Sequence, residues 1–246
     1  MTNVKQRASG CLFGLALGDA LGAKTEFLSV SDILQKFPPD GPQEPAGYPA
    51  LVTDDTQMAL AVGEALLLAQ RPYEVMTLEP VLRQAFIAWS KSPDNTRAPG
   101  MTCMPACEHL AQGLPLGPLW QRASVSSPTE FIVRGWDECL VALDRLDAAL
   151  QVMDRGSDPC QATGAGWIAG EAFATGLLCF LMYLDDPVAA IRRAAVTSGD
   201  SDSIACLTGA FAGSHLGLAA WPLDWIQRIE YLERLAKLGS VWDHFV

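Results

Sequence analysis

The chain has 246 residues, half of them hydrophobic and 18% charged, which is enough apolar material for a sizeable core and excludes a disordered polymer. Its 28 acidic against 17 basic side chains give a formal charge of −11, which argues against nucleic acid or an anionic membrane as a partner. Seven scattered cysteines without CxxC spacing, and no signal-peptide pattern at the N-terminus, point to a reduced, cytoplasmic protein.

Helical period dominates from the first segment onward. Gly10, Gly14, Gly18 and Gly22 recur every fourth residue, so a helix there carries a stripe without side chains, and such stripes let helices approach closely. Pro and Gly thicken from Lys36 to Pro49 and again from Pro93 to Pro128, which predicts loops. Cys103 and Cys107, one helical turn apart near His109, read as small apolar thiols on a mixed helix. Strand signals are confined to short pieces such as Phe131 to Val133. The apolar run from Ala172 to Leu184 is too short to cross a bilayer and follows Glu171, so it predicts a buried helix. Asp186 and Pro187 form an N-cap with proline at the first helical position, and place Val188, Ile191 and Ala195 on one face.

The run from Ile204 to Trp221 repeats the four-residue spacing at Gly209, Gly213 and Gly217. It carries Ser214 and His215 and lies beside a dense acidic cluster, which lipid would penalise, so no membrane anchor is expected. His215 is read as a packed core histidine, and Trp89, Trp167, Trp221 and Trp225 as interior fillers. A last amphipathic helix is predicted through Trp225, Ile229, Leu232 and Ala236. The whole predicts an all-α protein, with residues 1–246 forming a single domain.

Three stretches concentrate oxygen donors where helices begin: Gly18-Asp19 leading to Glu26, Thr53-Asp54-Asp55-Thr56, and Gly199-Asp200-Ser201-Asp202-Ser203. Each has an ordinary explanation when taken singly, because Asp, Ser and Thr are favoured N-caps and carboxylates favour the positive end of the helix dipole. A cap needs one oxygen, however, and Thr53, Asp54 and Asp55 supply three, as do Asp200, Asp202 and Ser203. Like charges about 4 Å apart cost on the order of 4 kcal/mol at an effective dielectric of roughly 20, so several gathered in a pocket need a counter-cation. Carboxylates and hydroxyls suit Mg²⁺ or Mn²⁺ rather than zinc. With Glu26 included, five carboxylates are nearly offset by two divalent ions, and a two-metal centre is expected.

These residues also resemble a known family. Gly10-Cys11-Leu12-Phe13-Gly14-Leu15-Ala16-Leu17-Gly18-Asp19-Ala20-Leu21-Gly22 followed by Glu26 looks like the first signature of the ADP-ribosylglycohydrolases. Thr53-Asp54-Asp55-Thr56-Gln57-Met58 is similar to their second. Gly199-Asp200-Ser201-Asp202-Ser203-Ile204, running into Gly209-Ala210-Phe211-Ala212-Gly213, is similar to their last, and the order is that of the family. The stretch Gly164-Ala165-Gly166-Trp167-Ile168-Ala169-Gly170-Glu171-Ala172 resembles the helix that precedes the last signature. The likeness covers roughly residues 8–112 and 164–221.

The resemblance implies an all-α orthogonal helical bundle with a central acidic cleft holding two Mg²⁺ or Mn²⁺ ions. It implies cleavage of the glycosidic bond between ADP-ribose and an acceptor, either a protein side chain or a small derivative, by a metal-activated water. By the same likeness Thr53, Asp54, Asp55, Asp200, Asp202 and Ser203 are metal ligands, with Ser203 standing where threonine is more usual and keeping the hydroxyl oxygen. Glu26, Asp55 and Asp202 fall where catalysis is expected, whereas Asp19 belongs to the signature without an assigned role. One family element is missing: relatives carry a Gly-rich stretch containing Met-Arg near the ADP-ribose cleft, and the span from Gly113 through Trp120 and Ser126 to Glu130 is too short to hold it. Two other readings therefore stand beside hydrolysis. One is an ADP-ribose-binding or crystallin-like structural protein without turnover, and the other is a two-metal phosphoesterase.

Overall fold

The first helix, α1 (Arg7–Gly22), owes its position to residues that lack side chains. It lies along α10 (Ser201–Leu216) with backbone against backbone. A Cβ on Gly14 would stand 2.1 Å from the Gly209 carbonyl oxygen, one on Gly18 would stand 1.9 Å from that of Ala205, and one on Gly213 would stand 1.9 Å from that of Gly10. Both predicted stripes thus meet in one seam. In this computed structural model the described residues are 6–97, 99–114 and 128–244, with side chains described for all of these except 128–136.

The chain divides into two compact units, Met1–Thr56 with Cys139–Val246, and Gln57–Glu138. In the first unit α1 is followed by α2 (Val30–Lys36) and by the opening turn of α3 (Asp54–Leu68). The unit resumes within a long helix, α6 (Pro128–Val152), and continues through α7 (Pro159–Thr163), α8 (Ala169–Met182) and α9 (Pro187–Ala194) to α10. After α10 come a single 3-10 turn (Leu218–Ala220), α11 (Leu223–Arg228) and α12 (Leu232–Asp243). The second unit holds the rest of α3, α4 (Val75–Ser90) and α5 (Cys103–Ala111). Every named element is helical, as the sequence predicts.

The apolar run before Leu184 is the buried helix α8, whose Ala174, Leu178 and Met182 pack on Ala142 and Leu146 of α6. Its Cys179 joins Ala194 of α9 and Ile204 and Ala205 of α10. Each large apolar side chain withdrawn from water in this way contributes about 1.5–3 kcal/mol. The Asp186 cap is also present, with its Oδ1 accepting from the Ala189 N–H at 2.9 Å, and Ala190, Ile191 and Ala194 turn inward. In the second unit Trp89 and Cys107 pack with Ala61, and the Trp89 indole N–H donates to the Gln57 side-chain oxygen at 3.1 Å. No helix among the described residues is long and apolar enough to cross a membrane.

Five local expectations are corrected. Phe131 to Val133 is helical backbone within α6, where the surrounding helical period overrides a short β-prone triplet. The helix predicted through Trp225 and Ala236 is two helices. Between them Ala50 N–H donates to the Arg228 carbonyl at 2.7 Å and the Glu230 N–H donates to the Ala50 carbonyl at 2.9 Å, while Tyr231 turns to φ 57°. His215 is exposed and meets the Phe180 ring edge-on at 5.8 Å, because its helix ends at Leu216. Trp167 is 51% exposed, since it sits in the turn before α8 rather than on a packed face. The second predicted loop contains α5, and its shortened middle falls at residues 115–127, outside the described residues.

Candidate functional site

The three oxygen-rich stretches converge in the first unit, each fixed by backbone contacts. At the end of α1, the Thr25 and Ser201 hydroxyls both donate to the Gly22 carbonyl, at 2.8 and 3.2 Å, and lie 2.9 Å from each other. This knot holds the turn that presents Glu26, whose N–H also donates to the Gly22 carbonyl. Gly22 itself closes on α10, for a Cβ there would lie 2.5 Å from the Asp202 Cα.

Asp19 is fully buried and organises the second stretch. Both of its carboxylate oxygens accept from the Thr53 N–H at 3.0 Å, and Oδ2 accepts from the Thr56 N–H at 3.1 Å and from the Thr56 hydroxyl. The opening turn of α3 would otherwise leave those N–H groups unmet. The same turn presents Asp54 and Asp55, and the Asp55 N–H donates to the Thr53 hydroxyl at 3.3 Å. Asp19 is therefore a positioning residue, and no local pattern marks its partners.

The third stretch opens α10. The Asp200 N–H donates to the Ala165 carbonyl at 2.8 Å, and Gly199 packs so closely on Ala165 that a Cβ would sit 1.8 Å from its oxygen. Gly166, at φ 85°, leaves room for Asp200 and Ile204, as a Cβ there would reach the Ile204 side chain at 2.9 Å. Although Asp200 occupies the N-cap position, its side chain caps nothing. The carboxylate is thereby left for another task, which the capping explanation does not cover.

One carboxylate oxygen each from Glu26, Asp200 and Asp202 lies within 4.8 Å of the others. Asp55 joins them through Ser203, whose hydroxyl donates to its Oδ2 at 2.9 Å. Crowding shows in the acidities. Burial, followed by repulsion from Asp200, Asp54 and Asp19, raises the Glu26 carboxyl to about 7. Burial and the Asp19 charge raise Asp55 to about 7, against the Ser203 hydrogen bond. Asp202 is raised by burial, by contact with Asp200 and by the charges of Asp55 and Glu26. Burial lifts Asp19 to about 6 even though the threonine hydrogen bonds favour its anion.

The geometry thus brings together Glu26, Asp55, Asp200, Asp202 and Ser203, with Thr53 and Asp54 on the same turn as Asp55. Glu26 lies inside the tight acidic group rather than beside it. Three uncapped or repelling carboxylates with hydroxyls around them form a hard oxygen donor set of the kind that fits Mg²⁺ or Mn²⁺. Next to this group in sequence, Phe27 and Trp167 stack at 5.3 Å with their planes 17° apart, and both are exposed at 71% and 51%. Helical spacing of the tryptophans pointed Trp167 inward and said nothing of Phe27. The signal was their adjacency to Glu26 and Gly166.

The ADP-ribosylglycohydrolase family model matches residues 1–135 and 119–245. The chain belongs to the ADP-ribosylglycohydrolase family. ADP-ribosyl-[dinitrogen reductase] glycohydrolase of Rhodospirillum rubrum is 24% identical over 273 residues, covering 93% of this chain and 92% of that protein. A solved structure titled ADP-ribosylglycohydrolase-related protein complex superposes with a TM-score of 0.55 at 22% identity, over 99% of both chains, and shares the fold. The family match runs through the segment that the signature comparison left uncovered.

Proposed function

We propose that this ADP-ribosylglycohydrolase family member hydrolyses the glycosidic bond between ADP-ribose and a protein side chain or small acceptor, as a metal-dependent enzyme of one domain. The observation that carries the reading is the grouping of the Glu26, Asp200 and Asp202 carboxylates within 4.8 Å, tied to Asp55 by Ser203. Two Mg²⁺ or Mn²⁺ ions would be held by Asp200, Asp202 and Ser203 on one side and Thr53, Asp54 and Asp55 on the other. When bound, they supply positive charge that keeps these carboxylates ionised and Lewis acidity for the sugar hydroxyls.

The chain's own residues divide the remaining work. Glu26, the carboxylate of the tight group that is not assigned to the ions, is assigned to acid–base transfer at the glycosidic oxygen or nitrogen. Asp55 and Asp202 face the same space and stabilise positive charge on an oxocarbenium-like sugar. Ser203 orients Asp55, and Asp19 fixes the turn from which Asp55 projects. The Phe27–Trp167 stack offers a flat apolar wall beside the acidic group.

The test offers the purified chain arginine-linked and serine-linked ADP-ribosyl peptides with Mn²⁺, with Mg²⁺ or with chelator, and follows the products by chromatography. Free ADP-ribose released only with a divalent ion is expected. Intact peptide under every condition, or phosphate as the product, would overturn the proposal. Asp55→Asn should abolish turnover while leaving the helical circular dichroism unchanged.

A further inference from the structure

A concavity in the first unit shares no residue with the acidic group and has a volume of about 350 Å³. Its walls carry Arg155, Arg192 and Arg193, three of the chain's 17 basic residues, above an apolar floor that includes Leu34 and Val196. In a chain of formal charge −11, basic side chains are expected to pair with carboxylates. Among the described residues, no ion pair engages any of these three arginines. Of the acidic side chains that flank them in sequence, Asp154 feels the Arg193 charge while accepting from the Gly156 N–H, and Asp158 and Asp186 accept from the Cys160 and Ala189 N–H groups. Asp40 is the one carboxylate in the lining.

The guanidinium groups are nevertheless held in place. Arg192 donates from Nε and Nη2 to the Gln43 carbonyl at 2.8 and 2.7 Å, and its guanidinium lies 5.8 Å from the centre of the Trp225 ring. Arg193 donates to the carbonyls of Val196 and Ser157, both at 2.7 Å, which leaves its Nε buried with no acceptor. Arg155 lies 4.9 Å over the ring of Tyr183, itself part of the wall. Each Nη nitrogen of Arg193 carries two N–H groups and spends one of them on the Val196 and Ser157 carbonyls, so donors remain for a ligand. Planar guanidinium forks match phosphate oxygens, and carbonyl clamps and aromatic stacking reduce the entropy lost on binding.

We propose that this pocket binds a small organic phosphate of nucleoside monophosphate size, with the phosphate on Arg155 and Arg193 and the ring system on the apolar floor. The volume lies at the lower end for small-molecule sites of about 300–1,000 Å³, and mixed apolar walls with a few fixed polar groups are typical of them. The site would work independently of the hydrolase chemistry.

Calorimetric titration of the full chain in chelator, with AMP, inorganic phosphate and adenosine as probes, tests this. AMP is expected to saturate one site and to bind more tightly than either fragment. Arg155→Gln should weaken it by about tenfold or more, and Arg155→Lys by less, with Mn²⁺ binding and the melting temperature unchanged because Arg155 is exposed. Asp55→Asn should bind AMP as the unmodified chain does. Failure of AMP to saturate at millimolar concentration, equal affinity in Arg155→Gln, or loss of AMP binding in Asp55→Asn, which would move the nucleotide to the acidic group, would each overturn the proposal.

Discussion

Asp19 touches no sugar or metal in the proposed reaction, yet it is the side chain on which the Thr53–Asp55 turn depends. Asp19→Asn keeps its volume but turns one of the two accepting oxygens into an amide nitrogen, a buried donor that faces the Thr53 N–H. Burying an unmet donor costs about 1–3 kcal/mol, so urea unfolding should show a loss of that order, and calorimetry a weaker Mn²⁺ affinity. Ser203→Ala should act on the ion alone. Losing the hydroxyl that meets Asp55 is expected to lower Mn²⁺ affinity by about tenfold with little change in urea midpoint, and Ser203→Thr should restore it. The excess of oxygens over capping needs made Asp55, Asp200 and Ser203 legible in the sequence. Asp19 was legible only as part of a motif, because the residues it holds lie 34 and 37 positions away and no local pattern marks them.

At the scale of elements, the seam between α1 and α10 predicts opposite outcomes for the same substitution. Gly14→Ala would place a methyl 2.1 Å from the Gly209 carbonyl oxygen, and such overpacking against backbone should cost about 3 kcal/mol or more. Gly170→Ala in α8 meets nothing nearer than 3.6 Å and should leave stability unchanged or raise it by about 0.5 kcal/mol through reduced unfolded-state entropy. Thermal melts of the two variants would check both signs. Helical period and the four-residue glycine spacing carried most of this architecture, since both are local properties of one segment. The break after Arg228 was hidden because Ala50, far back in the chain, supplies the hydrogen bonds that replace those of a continuing helix. Trp167 and His215 were misplaced for a related reason: side-chain chemistry sets an average preference for burial, whereas a turn or a helix end decides the individual case.

For the molecule as a whole, the crowded carboxylates link stability to pH and to divalent ions. Glu26 and Asp55 titrate near 7 and Asp19 near 6 in the metal-free fold, against ordinary values of about 4 in the unfolded chain. Between roughly pH 4 and 7 the folded chain therefore binds more protons than the unfolded one, and stability falls as pH rises through that window. The metal-free chain should melt at a higher temperature at pH 5 than at pH 7.5. Mn²⁺ should raise the melting temperature more at pH 7.5 than at pH 5, because binding requires the deprotonated carboxylates. An equal Mn²⁺ effect at both values would detach the ions from these groups. The strap formed by Ala50, Arg228 and Glu230 has its own consequence, since Glu230 also receives the Val52 N–H one residue before Thr53. Asp243, from the same C-terminal stretch, receives the N–H of Ala8 at the other end of α1. A protease that clipped the tail ahead of Arg228 would release both anchors at once, and so disarm the centre without removing a single one of its oxygens.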